Sequence, residues 1–223
     1  VNSFVDDKPT LKDPKQGDLL QEIKNNVWLP EDTEEYLNLQ PELLWTDGDE
    51  IKSRTGSEMP AIWNGMRTFL STMKNNSNIG RNLNFLIRDK KTKKWLGVTC
   101  MSSDFLDLTP RDEFIGWDRT RKTQKMLNHT CIGSTIVPIQ PLGYNLVGGK
   151  LLALLCLSDT VEKTWEYQYK DKLVGVTTTS LYGKTKEIPL SQYDRLKYWK
   201  KMGWTAGSGS YETTKKTRLR IQN

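Results

Sequence analysis

Three glycines, Gly143, Gly148 and Gly149, fall where a β-branched run at residues 135–139 gives way to an apolar segment of helical character, and Lys150 follows them directly. Residues without a Cβ let backbone N–H groups close on an anion, and a helix N-terminus supplies unpaired donors. A pyrophosphate would fit such a turn, with Lys150 adding a point charge. The same glycines could equally serve close packing of a helix on its sheet. A second group is basic: Arg111, Arg119, Arg121, Lys122 and Lys125, with Lys215, Lys216, Arg218 and Arg220 near the end of the chain. Side chains of this kind bind phosphates through their field and through counterion release, or they are simply a solvated surface. Asp104, Asp107, Asp112, Glu113 and Asp118 gather between residues 104 and 118. They read as a solvated loop balanced by Arg111 and Arg119 ahead of a metal site, and no metal is expected. His129 is the sole histidine. It could act as a general base or, beside Cys131, be structural.

Several chemistries are excluded. One histidine cannot build a histidine-rich zinc site, and the cysteines lack Cys-x-x-Cys spacing. No Walker loop, Gly-x-Ser-x-Gly elbow or nuclease-type carboxylate cluster is present. Cys100, Cys131 and Cys156 are odd in number, far apart and set among apolar or β-branched neighbours, which predicts reduced core thiols. No apolar run approaches the roughly 20 residues that span a bilayer, and the first residues lack the basic and apolar regions of a signal peptide. The expectation is a cytoplasmic protein that does not contact membrane.

The net charge of +6 conceals a division. Residues 1–60 carry 6 Lys/Arg against 14 Asp/Glu, whereas residues 61–223 carry 27 against 13. An acidic arm on a basic body is the natural reading, and the body would attract polyanions such as nucleic acid. Pro9, Pro14, Pro30, Pro41 and Pro60 interrupt the first sixty residues, which predicts an irregular N-terminal arm that docks a few anchors such as Val27-Trp28-Leu29 and Leu43-Leu44-Trp45.

Beyond residue 57, Ile62, Met66, Phe69, Leu70 and Met73 recur at helical spacing. "LNFLIRD" and "KWLGVTCMSS" flank the basic turn "KKTK" as a hairpin. A strand at residues 135–139, one long helix or two continuous ones, and a strand at residues 173–180 form a crossover unit, so those two strands should be parallel. The segment "SQYDRLKYWKKMGW" reads as an amphipathic helix that ends at Gly203.

The order strand, glycine turn, helix, strand, then "YWKKMGW" resembles the acyl-CoA-dependent N-acetyltransferase fold. That likeness puts Asn145-Leu-Val-Gly148-Gly149-Lys150 at the family's pyrophosphate loop, although its first and last residues depart from the family pattern. Tyr198 would then be the general acid toward the departing thiolate, or, with Trp199, a core anchor. A closer resemblance covers about residues 80–210. The ordered segments "WLGVTCMSSDF", "RDEFIGWDRTRK", "NLVGGKLLALL", "LVGVTTTSLYG" and "SQYDRLKYWKKMGW" are similar to the DruA-type domain of the Druantia antiphage system, also found in phage and mobile-element proteins. Phe114, Ile115, Gly116, Trp117, Arg119 and Arg121 fit one of its signatures, and Ser180, Tyr182, Gly183, Ser191, Tyr193 and Arg195 fit its strand-exit motif. The resemblance implies an α/β domain over residues 61–223 with a mixed, acetyltransferase-like sheet. It further implies a protein of phage or antiphage context that acts on or beside DNA, with other phage or defence proteins as partners. Such a protein would either transfer an acyl group from acyl-CoA or keep the fold as a non-catalytic nucleic-acid-binding or assembly module, with Arg195 and the strand exit walling a pocket or groove.

Overall fold

The hairpin expected around the basic turn is the centre of the sheet. In the computed structural model, which describes residues 14–48, 59–71, 79–140, 142–145, 148–180 and 193–205, strand β2 (Asn82–Asp89) pairs antiparallel with β3 (Trp95–Ser103). Asp89 closes the turn between them by accepting from the backbone N–H of Thr92 at 2.7 Å and from its hydroxyl at 2.7 Å. The turn lysines are therefore turn residues, and Lys93 takes the left-handed conformation there (φ 61°). β3 is buried over all but its last residue because both faces of the sheet are covered, which explains its nearly unbroken apolar sequence.

Five strands run in the order β1-β2-β3-β4-β5. β1 is Pro41–Trp45, β4 is Thr130–Pro138 and β5 is Gly175–Thr177. The first four are mutually antiparallel, and β5 lies parallel to β4 as the crossover pattern requires. On one face lie helices α1 (Pro14–Asn25), α3 (Met59–Leu70) and α7 (Gly148–Leu155), and the single turn α2 (Glu34–Leu37) precedes β1. Their buried Ile23, Ile62, Trp63, Met66 and Leu152 meet Leu86, Leu96 and Val98 of the sheet. On the other face α8 (Asp159–Tyr169) sets Val161 and Trp165 against Leu83, Phe85 and Met101. At Gly97, α7 packs tightly on the sheet. A Cβ there would lie 2.6 Å from Leu152 Cδ2 and 2.5 Å from the Val137 carbonyl oxygen.

Two expectations are corrected. The first sixty residues are not merely an arm: in their described part, β1 pairs with β2 along its whole length, Trp28 and Leu44 are core residues, and α1 packs on α3. Two large indoles and one edge strand, with Pro41 tolerated at its first position, suffice to embed a charged, proline-rich segment. Leu44→Ala should therefore cost about 2 kcal/mol or more in urea denaturation. An accessory arm would leave the midpoint unchanged. Of the one long helix or two continuous ones expected after the glycine turn, the structure forms two, α7 and α8. The chain turns at residues 156–158, and Ser158, extended at ψ 154°, starts α8 with Asp159 and Glu162 in its first turn. The helix expected through "YWKKMGW" is absent from residues 193–205, which form turns and extended backbone.

All three cysteines are free and buried. Burial pushes the Cys156 thiol up to about 12, with Cys100 adding to it, and burial likewise raises Cys131 well above its ordinary value, aided by Asp104. These are inert core thiols at neutral pH. Among the described residues no helix is long and apolar enough to cross a membrane.

Candidate functional site

Where β3 leaves the sheet, the chain enters a polar cluster that the sequence presented as a solvated loop. Arg111, on α4 (Thr109–Ile115), is completely buried. Its guanidinium pairs with Asp104 Oδ1 at 2.8 Å and donates to Asp112 Oδ1 at 2.6 Å and to the Phe105 carbonyl at 2.8 Å. Lys122, on α5 (Arg119–Thr123), reaches Asp112 Oδ2 at 2.8 Å and Asp107 Oδ1 at 2.7 Å. The hydroxyl of Thr177, at the end of β5, donates to Asp104 Oδ1 at 2.8 Å, so the network ties β3, α4, α5 and β5 together. Burial alone would raise the Asp112 carboxyl. Hydrogen bonds from Lys122, Arg111 and the Leu108 backbone outweigh it and hold the group below the ordinary carboxylate range. Asp104 Oδ2 is buried with no partner. Arg111 and Lys122, two expected phosphate ligands, are thus internal counter-ions, because the buried carboxylates of Asp104 and Asp112 need them more than the surface does.

β4 carries the second feature. Its pairing with β3 shifts register between Cys100 and Met101, where Ser134 is the extra residue. Ser134 Oγ meets Ser102 Oγ at 2.7 Å, and Ser102 in turn donates to Asn82 Oδ1 at 2.9 Å, a hydroxyl chain across three strands. On the other side β4 pairs with β5 only from Thr130 to Ile132. Past the bulge, β4 has no β5 partner among the described residues. Between the end of β4 and α7 lies the short helix α6 (Leu142–Asn145). Gly143 N–H donates to the Ile139 carbonyl at 2.8 Å, and a Cβ on Gly148 would lie 2.6 Å from the Leu142 carbonyl oxygen. Both glycines therefore serve packing. Gly149 faces open space, with no atom within 4 Å of the Cβ it lacks, and Lys150 is exposed. Among the described side chains of the expected cradle, Gly149 and Lys150 are left open to an anion, and the side chain of Asn145 lies outside what the structure describes.

Residues 193–205 form the third feature. Trp199 Nε1 donates to the Ala153 carbonyl of α7 at 3.2 Å, and its ring stacks on Tyr193 with centroids 5.9 Å apart. Gly203 lies against Pro110, and Lys200 Nζ sits 4.4 Å from the centroid of the Phe114 ring. The segment thus joins α7 to α4.

A sequence model of the family described as Druantia protein DruA matches residues 52–220. The chain belongs to the DruA family. It is 29% identical over 148 residues to Druantia protein DruA of Escherichia coli (strain UMEA 4076-1), a match that covers 60% of this chain and 36% of that protein. The matched part is about a third of that relative's length. No solved structure matches the chain.

The DruA-family segments read in the sequence meet around α4 and α5. Gly116 ends α4 in the left-handed conformation, and the Arg111 guanidinium lies 5.5 Å from the Trp117 ring. Arg119, Arg121 and Lys125 are exposed, as is Arg195 in its left-handed turn. Tyr198 is exposed and also left-handed (φ 71°), not a residue of a helix beside a thiolate. His129 lies apart from these groups. Its Nδ1 donates to the Lys172 carbonyl at 2.8 Å, and its own carbonyl accepts from Val174 N–H, pegging β5 to β4. Tyr182, Gly183, Ser191 and the basic residues at 215, 216, 218 and 220 lie outside the described residues. Sequence reasoning set Asp104 beside Arg111 in a solvated loop and missed that the pair is buried and that Thr177 is a further partner of Asp104. A carboxylate at the end of an apolar strand was the available signal.

Proposed function

We propose that this DruA-family chain is a nucleic-acid-binding component of an antiphage defence system. The observation that carries the reading is a set of exposed cations on α5, just after it at Lys125, and on residues 193–205, which pack on α4 through Lys200 and Gly203: Arg119, Arg121, Lys125, Arg195, Lys197 and Lys200. The acidic groups nearby are partly taken up, since Asp107 holds Lys122, Asp118 caps α5 and Asp194 pairs with Lys201. The basic field is thereby left to act on phosphates. Defence proteins are the natural further partners of such a component. The test is fluorescence anisotropy with labelled DNA and RNA of unrelated sequences. Binding with little sequence preference supports the reading, and absence of binding at low salt overturns it.

A second reading, acyl-group transfer on an acetyltransferase-like sheet, draws support from the divergence of β4 from β5 beyond the bulge at Ser134, with a helix N-terminus at Gly148–Gly149 following. Among the described side chains, Gly149 and Lys150 fit acyl-CoA, because Gly143 and Gly148 are used in packing. When bound, the thioester would supply the activated acyl group. This chain's part would be backbone donors at the start of α7. Gly149→Val should abolish acetyl-CoA binding measured by calorimetry while the protein stays folded, since its side chain would enter open space. If the unaltered chain fails to bind acetyl-CoA at millimolar concentration, this second reading is lost.

A further inference from the structure

We propose that Phe114 and Tyr198 form a base-stacking platform that selects single-stranded over duplex nucleic acid, an inference that rests on the nucleic-acid reading above. Phe114 is 50% exposed and Tyr198 78% exposed, so both rings are open to a ligand. Neither ring is a dangling side chain. Phe114 is on α4, whose Arg111 is locked in the buried ion network, and Tyr198 is followed by Trp199, whose indole is fixed to α7. The left-handed backbone of Tyr198, which costs an L-residue energy, places the two neighbours differently: Trp199 is half-buried and Tyr198 faces solvent.

Each ring carries an ammonium on its face. Lys200 Nζ is 4.4 Å from the Phe114 centroid and Lys197 Nζ is 4.9 Å from that of Tyr198. An exposed cation–π contact is weaker than stacking of a nucleobase on the same ring. An arriving base would therefore displace the lysine, and the released ammonium, on its flexible stem, would turn to the phosphate beside that base. Arg119 and Arg121 follow Phe114 on α5 and supply further phosphate contacts. This pairing of ring and mobile cation matches the alternation of base and phosphate along a single strand. In a duplex the base faces are already stacked, and only the cations could engage. An uncharged protein partner would use the rings and neighbouring Ile115 and Met202 but would have no use for the surrounding positive charge.

The experiment uses the full chain and compares an oligo-dT of about 15 nucleotides with a duplex of the same length, by anisotropy at fixed low salt. Phe114→Ala and Tyr198→Asn are the variants, asparagine being chosen because it tolerates a left-handed backbone. Each should weaken single-strand binding about tenfold and leave duplex binding and the thermal midpoint unchanged. Photocrosslinking of bromodeoxyuridine-substituted oligonucleotide to the unaltered chain, with the adduct mapped to Phe114 or Tyr198, reads the same contact without mutation. Unchanged single-strand affinity in both variants, equal losses on duplex, or adducts confined to other residues would overturn the platform while nucleic-acid binding stands. Failure of both strand types to bind would remove the nucleic-acid reading itself.

Discussion

Arg111→Met should destabilise the protein by about 3–5 kcal/mol, the largest effect expected of a single conservative-volume change here. Methionine keeps the side chain's apolar bulk but removes the donors that reach Asp104, Asp112 and the Phe105 carbonyl. Asp104 would retain the Thr177 hydroxyl and the Phe105 N–H, both on Oδ1, while Oδ2 already lacks a partner. A buried carboxylate so placed has lost its only countercharge among the described residues. Equilibrium urea unfolding at neutral pH gives the measurement, and a loss below about 1 kcal/mol would mean that water reaches the cluster. Adding Asp104→Asn to Arg111→Met should recover part of the loss, because the charge that needed the guanidinium is then gone.

The same cluster sets a pH dependence whose sign follows from Asp112. Its folded-state pKa lies below the ordinary value, so its contribution is present above the unfolded carboxylate pKa and disappears as pH falls through the folded one. Asp89 behaves alike: burial opposes ionisation, and hydrogen bonds from Gln40 and Thr92 overcome it. Lys122 is shifted upward by Asp107 and Asp112, so its share persists below the usual lysine pKa and is lost only as pH rises through a still higher value. Stability should accordingly fall off on the acid side below about pH 4, and less steeply in Arg111→Met, where one donor holding Asp112 ionised is missing and less of its stabilisation is left to lose.

What the sequence disclosed and what it concealed can be traced to the range of the interactions. β2 and β3 were legible because each is an apolar run bounded by a turn, and the parallel β4–β5 pair because a helical crossover leaves little choice. β1 was not legible. Five residues starting with proline inside an acidic stretch carry almost no local strand signal, and only pairing with β2 makes them a strand. Residues 193–205 misled in the opposite way. Their helical spacing of large residues is real, but Trp199 satisfies itself on the Ala153 carbonyl, and left-handed turns at Arg195 and Tyr198 break any helix. Arg111 and Lys122 looked like surface cations because charge in a sequence carries no depth. Their neighbours Arg119, Arg121 and Lys125 are of the same types and are exposed.

That division between buried and exposed cations makes the second large effect specific. If Arg119, Arg121, Lys125, Arg195, Lys197 and Lys200 each meet a phosphate, the logarithm of the association constant should fall against the logarithm of salt with a slope near −5 for duplex and about −4 for a single strand. Raising salt from roughly 50 to 200 mM should weaken duplex binding about a thousandfold. Arg121→Gln should flatten the duplex slope by about 0.9, and Arg119→Gln by the same amount. Lys122→Gln should leave the slope as it is, since the Lys122 ammonium is held between Asp107 and Asp112 whether or not nucleic acid is bound. It should show its effect in the urea midpoint instead. The comparison places two lysines or arginines one residue apart in sequence on opposite sides of the protein surface. Were Lys122→Gln to flatten the slope as much as Arg121→Gln, the carboxylates would be releasing that lysine on binding, and the network around Arg111 would belong to the interface instead of the core.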